Sequence, residues 1–268
     1  MNMPCSESAA ASILDDTDPS PFTTLNSNGL TPLLLICDHA SRAVPAALNN
    51  LGLNDKAFDS HIGYDIGAAA VARKLSEALD AGLVLAGYSR LVIDLNRPPG
   101  HPQSILRISD GTIIPGNQDL NVAARRRLVR DLFKPYHNAV NQAIARIWER
   151  GTPPAVFSIH SFSPRFGDRP RPWDVGVLWN RDPRLAVPLM EKLEAHGLNV
   201  GDNEPYSGKH LAYTINMHAA AAGLAGCIIE INQDQLLDNA GIDRWTAILD
   251  DVMKEILSLN NLHRIERY

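Results

Sequence analysis

The chain has 268 residues, 45% of them hydrophobic and 21% charged, with 25 Lys and Arg against 30 Asp and Glu, a formal charge of −5. A chain of this length and make-up can bury a full core as one domain. The acidic balance argues against a polyanion-binding surface, and Arg125-Arg126-Arg127 lies in a helical pattern that reads as a solvated face, so nucleic acid is not an expected partner. Cys5, Cys37 and Cys227 show no metal-site spacing and are too few for a disulfide scaffold; Cys37 and Cys227 lie in apolar runs, as buried thiols do. The N-terminus lacks the basic start and apolar stretch of a signal peptide, and no run of roughly 18 apolar residues is present to cross a membrane. The expected setting is the reducing cytoplasm, with no membrane partner.

In chain order, residues 1–28 are rich in Ser, Thr, Asp, Asn and Pro without sustained periodicity, and read as a mobile or loosely docked arm. Residues 29–268 are expected to form a single domain. Residues 33–37 are a short apolar run stopped by Asp38-His39, the pattern of a strand buried on both faces. Apolar positions spaced by three and four predict a helix over 65–80, with Gly82 as its stop signal. Residues 82–86 and 91–95 are strand-like, and 121–149 predict a long helix interrupted near Pro135. Strands are expected at 155–159, 175–179 and 226–231, and helices at 183–196, 212–222 and 242–259. Strands alternating with helices predict an α/β fold: a mostly parallel or mixed central sheet with helices on both faces.

In such sheets functional groups collect beyond the carboxyl ends of the strands. His39 follows one apolar strand and His160 another, and neutral imidazole is the commonest nitrogen donor to zinc. A third ligand is sought in Asp59-Ser60-His61-Ile62-Gly63-Tyr64-Asp65, where both His61 and Asp65 are candidates; Asp65 could instead cap the helix that follows. Glu230 interrupts the apolar run Cys227-Ile228-Ile229-Glu230-Ile231, where burial raises a carboxyl pKa and suits a general base, unless a buried arginine pairs with it. Arg90 and Arg97 flank the run 91–95, and arginine binds carboxylates bidentately, so the two could clamp an acidic substrate or one could pair with Asp94.

Four motifs in order, Asp38-His39-Ala40-Ser41, His61-Ile62-Gly63-Tyr64-Asp65-Ile66-Gly67-Ala68, Tyr88-Ser89-Arg90-Leu91-Val92-Ile93-Asp94-Leu95-Asn96-Arg97 and Ser158-Ile159-His160-Ser161, resemble the N-formylglutamate amidohydrolase family over roughly residues 30–240. The resemblance implies a phosphorylase/hydrolase-like fold related to zinc carboxypeptidases, and a zinc ion held by His39, Asp65 and His160. The His-x-x-Glu pairing of carboxypeptidases is absent, since Arg42 stands three residues after His39, and the order histidine, acid, histidine favours Asp65 over His61. Glu230 is then the general base, and Arg90, Asn96 and Arg97 hold the carboxylates of an acidic N-formyl or N-acyl amino acid, releasing formate and the amino acid. A metallocarboxypeptidase, a cell-wall amidase and a non-catalytic binding protein on the same scaffold are the competing classes.

Overall fold

The computed structural model describes residues 11–268. Seven strands form one sheet: β1 (Phe22–Leu25), β2 (Leu33–Cys37), β3 (Gly82–Ala86), β4 (Ala155–Phe162), β5 (Val175–Leu178), β6 (Val200–Asp202) and β7 (Gly226–Asn232). Their spatial order is β1-β3-β2-β4-β7-β5-β6. The strands β3, β2, β4 and β7 are parallel neighbours, β1 is antiparallel to β3, and β5 is antiparallel to β7 and parallel to β6. The sheet is therefore mixed, within a single α/β domain.

Both faces are covered. Six helices carry most of the cover: α1 (Ala68–Ala78), α2 (Val122–Leu128), α3 (Lys134–Trp148), α4 (Pro183–Ala195), α5 (Tyr213–His218) and α6 (Asn239–Leu257). Period-two alternation along β2 sends Leu33, Leu35 and Cys37 into a core with Val71 and Leu75 of α1, Leu189 of α4 and Trp245 of α6. Leu34 and Ile36 enter the opposite core with Tyr136, Val140 and Ile144 of α3 and Ile215 of α5. Burial on both sides is why this strand reads as one apolar run, and each such side chain contributes about 1.5–3 kcal/mol. Cys37 and Cys227 are buried free thiols, as their apolar settings implied. Among the described residues no helix is long and apolar enough to cross a membrane.

The structure differs from the sequence pattern in several places. Of the stretch expected as an arm, residues 1–10 lie outside the described residues, Ile13 is buried with its N–H donated to Asp131 Oδ2 at 2.9 Å, and Phe22–Leu25 is the edge strand β1. Residues 91–95 are not a strand but buried turns. Their polar backbone is satisfied locally, by Val92 N–H to Ser89 O at 3.0 Å, Asp94 N–H to Ser104 O at 2.8 Å, and the Asn117 amide donating to Leu91 O at 2.8 Å. Helix α1 ends at Ala78, and the left-handed residue after it is Asp80 (φ 48°) rather than Gly82, which opens β3. The interruption expected near Pro135 is a π-helical turn over Val129–Phe133, and the proline sits in the first turn of α3, where its missing N–H does least harm.

Candidate active site

The alternation that packs the core also builds the site. On β4, Val156 belongs to the α3 side of the sheet, so Ser158 and His160 follow on that face; on β7, Ile228 does the same for Glu230. His160 and Glu230 are direct neighbours across the parallel ladder. Asp38 and His39 stand just past the end of β2, next to β4. Asp65 lies two residues before Gly67, whose left-handed turn (φ 77°) leads into α1, and its backbone N–H is tied to His39 O at 3.0 Å.

His39, Asp65 and His160 are all buried, and their candidate ligand atoms lie within 4.8 Å of one another. Nδ1 of His39 stands 3.2 Å from Asp65 Oδ2, and Nδ1 of His160 stands 2.7 Å from the same oxygen. Each ring is fixed from behind by another carboxylate: His39 Nε2 donates to Asp94 Oδ1 at 2.8 Å, and His160 Nε2 donates to Asp38 Oδ2 at 3.1 Å. Carboxylates that orient histidines in this way set the tautomer and leave the other nitrogen free as a ligand. Asp38 is itself held by the hydroxyls of Tyr136 at 2.8 Å and Thr214 at 2.9 Å.

The electrostatics match a cation site. Around the two imidazoles stand three carboxylates, Asp38, Asp65 and Asp94, and one guanidinium, Arg90, which donates to Asp65 Oδ1 at 3.2 Å and to Asp94 Oδ2 at 3.1 Å. With neutral imidazoles this arrangement carries two negative charges, which a divalent cation would neutralise. Burial alone would lower the His160 pKa, but its bonds to Asp38 and Asp65 outweigh that and hold it well above the usual value. The carboxyl of Asp65 is held well below the ordinary range, burial being overcome by the two histidines. Three buried ligands of this type, with both rings locked, fit a zinc-like ion and leave a coordination position open.

Glu230 behaves differently. It is 7% exposed, no hydrogen-bond partner stands at its carboxylate among the described residues, and burial pushes its pKa up to about 7, against the pull of His160. A carboxyl poised near neutrality beside a cation site is suited to proton transfer.

Of the expected substrate contacts, Arg90, Asn96 and Arg97 line the same cavity as the two histidines, Asp65, Tyr206 and Glu230. Arg90 is engaged by the two carboxylates, so pairing with Asp94 is realised. Asn96 is tied to the distant 211–214 segment, donating to Leu211 O at 3.1 Å and accepting from Thr214 N–H at 3.0 Å. Arg97 donates from Nη1 to Leu211 O at 2.9 Å, and its buried Nε has no partner among the described residues. His61 stands apart from the cluster: it is paired with Asp110 at 3.2 Å and its side chain is 38% exposed. The orienting roles of Asp38 and Asp94 and the presence of Tyr206 were not read from the sequence.

A family model described as N-formylglutamate amidohydrolase matches residues 31–237. The fold is similar to the crystal structure of a gene product of Agrobacterium tumefaciens, 34% identical, with a TM-score of 0.89 over 92% of this chain and 98% of that one. It is also similar to the crystal structure of N-formylglutamate amidohydrolase from Ralstonia eutropha, 20% identical, with a TM-score of 0.69 over 89% of this chain and 97% of that one. No curated protein matches the chain.

Proposed function

Because the chain belongs to the N-formylglutamate amidohydrolase family, and so to the hydrolases acting on amides, we propose that it removes the formyl group, or another small acyl group, from an N-acylated acidic amino acid in a zinc-dependent reaction. The observation that carries this reading is the buried His39, Asp65 and His160 cluster with Glu230 beside it across the ladder. A zinc ion held by those three side chains would supply Lewis acidity towards water and the amide carbonyl.

The protein's own groups account for the rest. Glu230 takes the proton from the attacking water as the new C–O bond forms, and delivers it to the nitrogen as the C–N bond breaks, releasing formate and a free amine. Asp38 and Asp94 keep the two imidazoles in one orientation, so that little reorganisation is needed. Arg97, with an unsatisfied Nε, binds the carboxylate next to the scissile amide, with Asn96 fixing the loop beside it. Arg90 keeps Asp65 and Asp94 in place at the wall of the same cavity. A cytoplasmic setting belongs to the same reading, supported by the two buried free thiols.

Metal analysis of the purified protein, with formate release from N-formyl-L-glutamate measured before and after chelation, tests the proposal. About one zinc per chain is expected, with turnover lost to chelator and restored by zinc. Undiminished turnover in thoroughly chelated protein would refute it.

A further inference from the structure

The metal-side cavity opens into an outer cleft, and the two share Asp65, Arg90, Ser161 and Tyr206 as walls. The outer cleft therefore offers room, past Tyr206, for the distal end of an amide seated at the cluster. The charge there is uneven. Arg90 is already neutralised by two carboxylates, and His61 is paired with Asp110 on the far side. Arg165 and Arg171 are different: among the described residues no carboxylate lies within ion-pair distance of either, and of the two Arg165 is exposed whereas Arg171 is half-buried in the cleft wall.

Arg171 is also held in place. Its guanidinium carbon lies 4.8 Å from the ring centre of Tyr206, 5.3 Å from that of Phe166 and 5.9 Å from that of Phe162. One nitrogen, Nη1, donates to Ser163 O at 3.2 Å. Aromatic faces stabilise the cation without using its in-plane N–H groups, and those are the donors that meet a carboxylate edge-on. Phe162, whose ring centre lies 5.9 Å from that guanidinium carbon, follows His160 by two residues on β4, so the two side chains share one face of the sheet.

We infer that Arg171 is the specificity-determining residue for the distal carboxylate of the substrate, so that the site selects N-acyl dicarboxylic amino acids over their neutral amides. This inference deepens the amide-hydrolase reading and rests on it, with Arg97 serving the carboxylate beside the scissile bond and Arg171 the one at the far end. Tyr206, between Arg171 and Glu230, is the wall that separates this anchor from the proton-transfer group; burial and the nearby Glu230 raise its hydroxyl pKa, with Arg171 opposing.

The test is binding as well as turnover, on the metal-loaded protein. Calorimetric affinities for L-glutamate and L-glutamine are compared in wild type, R171M and R171K. Wild type should prefer glutamate by about ten- to a hundredfold, the effect of one bidentate charge-assisted contact. R171M should lose that preference by weakening glutamate alone, and R171K, which keeps the charge but not the fork, should fall between; it also carries the test if R171M does not fold. In turnover, R171M should raise KM for N-formyl-L-glutamate while leaving N-formyl-L-glutamine unchanged. Failure of wild type to hydrolyse either formyl substrate would defeat the amide-hydrolase reading and leave the glutamate-against-glutamine comparison to decide Arg171. An R171M protein with the full wild-type preference, or a wild type with none, overturns the inference.

Discussion

Asp94→Asn changes almost no volume, yet the amide has no comfortable orientation. In the native site Oδ1 accepts from His39 Nε2 at 2.8 Å and from the Asn96 backbone N–H at 2.9 Å, while Oδ2 accepts from Arg90 at 3.1 Å. All three partners are donors, so the new NH2 group meets a donor whichever way it turns. Facing Arg90, it forfeits a charge-assisted bond of about 1.5–3 kcal/mol and loosens the arginine that also holds Asp65. Facing His39, it drives the ring proton to Nδ1, the nitrogen a metal would need. Loss of such an orienting partner weakens metal binding about 10–100-fold, or roughly 1.4–2.7 kcal/mol. Competition with a chromophoric zinc chelator measures this, with thermal unfolding of both metal-free proteins as the control for folding. Asp38→Asn supplies the contrast: the hydroxyls of Tyr136 and Thr214 can reverse and accept from an amide, so His160 keeps its acceptor and the loss should be smaller. An Asp94→Asn protein that binds zinc as tightly as wild type would show that the carboxylate does not orient His39.

Glu230→Gln should keep fold, zinc and KM while kcat falls at least about 100-fold, and near-normal turnover in the loaded variant would remove Glu230 as the base. Burial pushes the carboxyl up to about 7 in the metal-free site and a bound dication would lower it, so kcat/KM of the zinc-loaded wild type should fall along an acidic limb centred below about 7, and that limb should be absent in Glu230→Gln. Asp65→Ala should lose the metal and His61→Ala should retain it; metal content reversed between the two would exchange their roles. Stability has its own pH signature at His218, which is 4% exposed and, by burial and then by the neighbouring His137, depressed from 6.5 to about 4. His137 donates from Nε2 to Leu95 O at 3.0 Å, so its Nδ1 accepts from His218 Nε2 at 2.7 Å, while His218 Nδ1 stands 2.7 Å from Asn141 Oδ1; it is burial, not this contact, that chiefly disfavours a charge on His218. The unfolded chain then takes up the proton first, and stability full above about pH 6.5 should decline by up to roughly 3 kcal/mol towards pH 4. Denaturant unfolding of wild type and His218→Gln across that range should show a difference that shrinks as pH falls, and a constant difference would refute the assignment.

The site was legible where it lies on strands and obscure where it depends on partners distant in the chain. Period-two alternation on β4 and β7 is a local property, and it alone aligns His160 and Glu230 with the α3 face; an isolated carboxylate among Ile and Cys is conspicuous for the same reason. Residues 91–95 misled because a continuous apolar run records burial rather than backbone geometry, and here the backbone bonds are met by Ser89, Ser104 and Asn117 instead of by a neighbouring strand. Asp94 sat in that run as a half-read signal: pairing with an arginine was foreseen, but its bond to His39 spans 55 residues and has no trace in local spacing. Asp38 meets His160 across 122 residues, and Arg171 gains its meaning only once the fold brings it against Phe162 and Tyr206. Ligand atoms can be guessed from residue type and position at a strand end, since metal chemistry restricts the choice to few side chains. The groups that orient those ligands, and those that read the far end of a substrate, are drawn from residue types common on any surface. Only the fold separates them from ordinary surface charges, by removing water and placing each beside one particular partner.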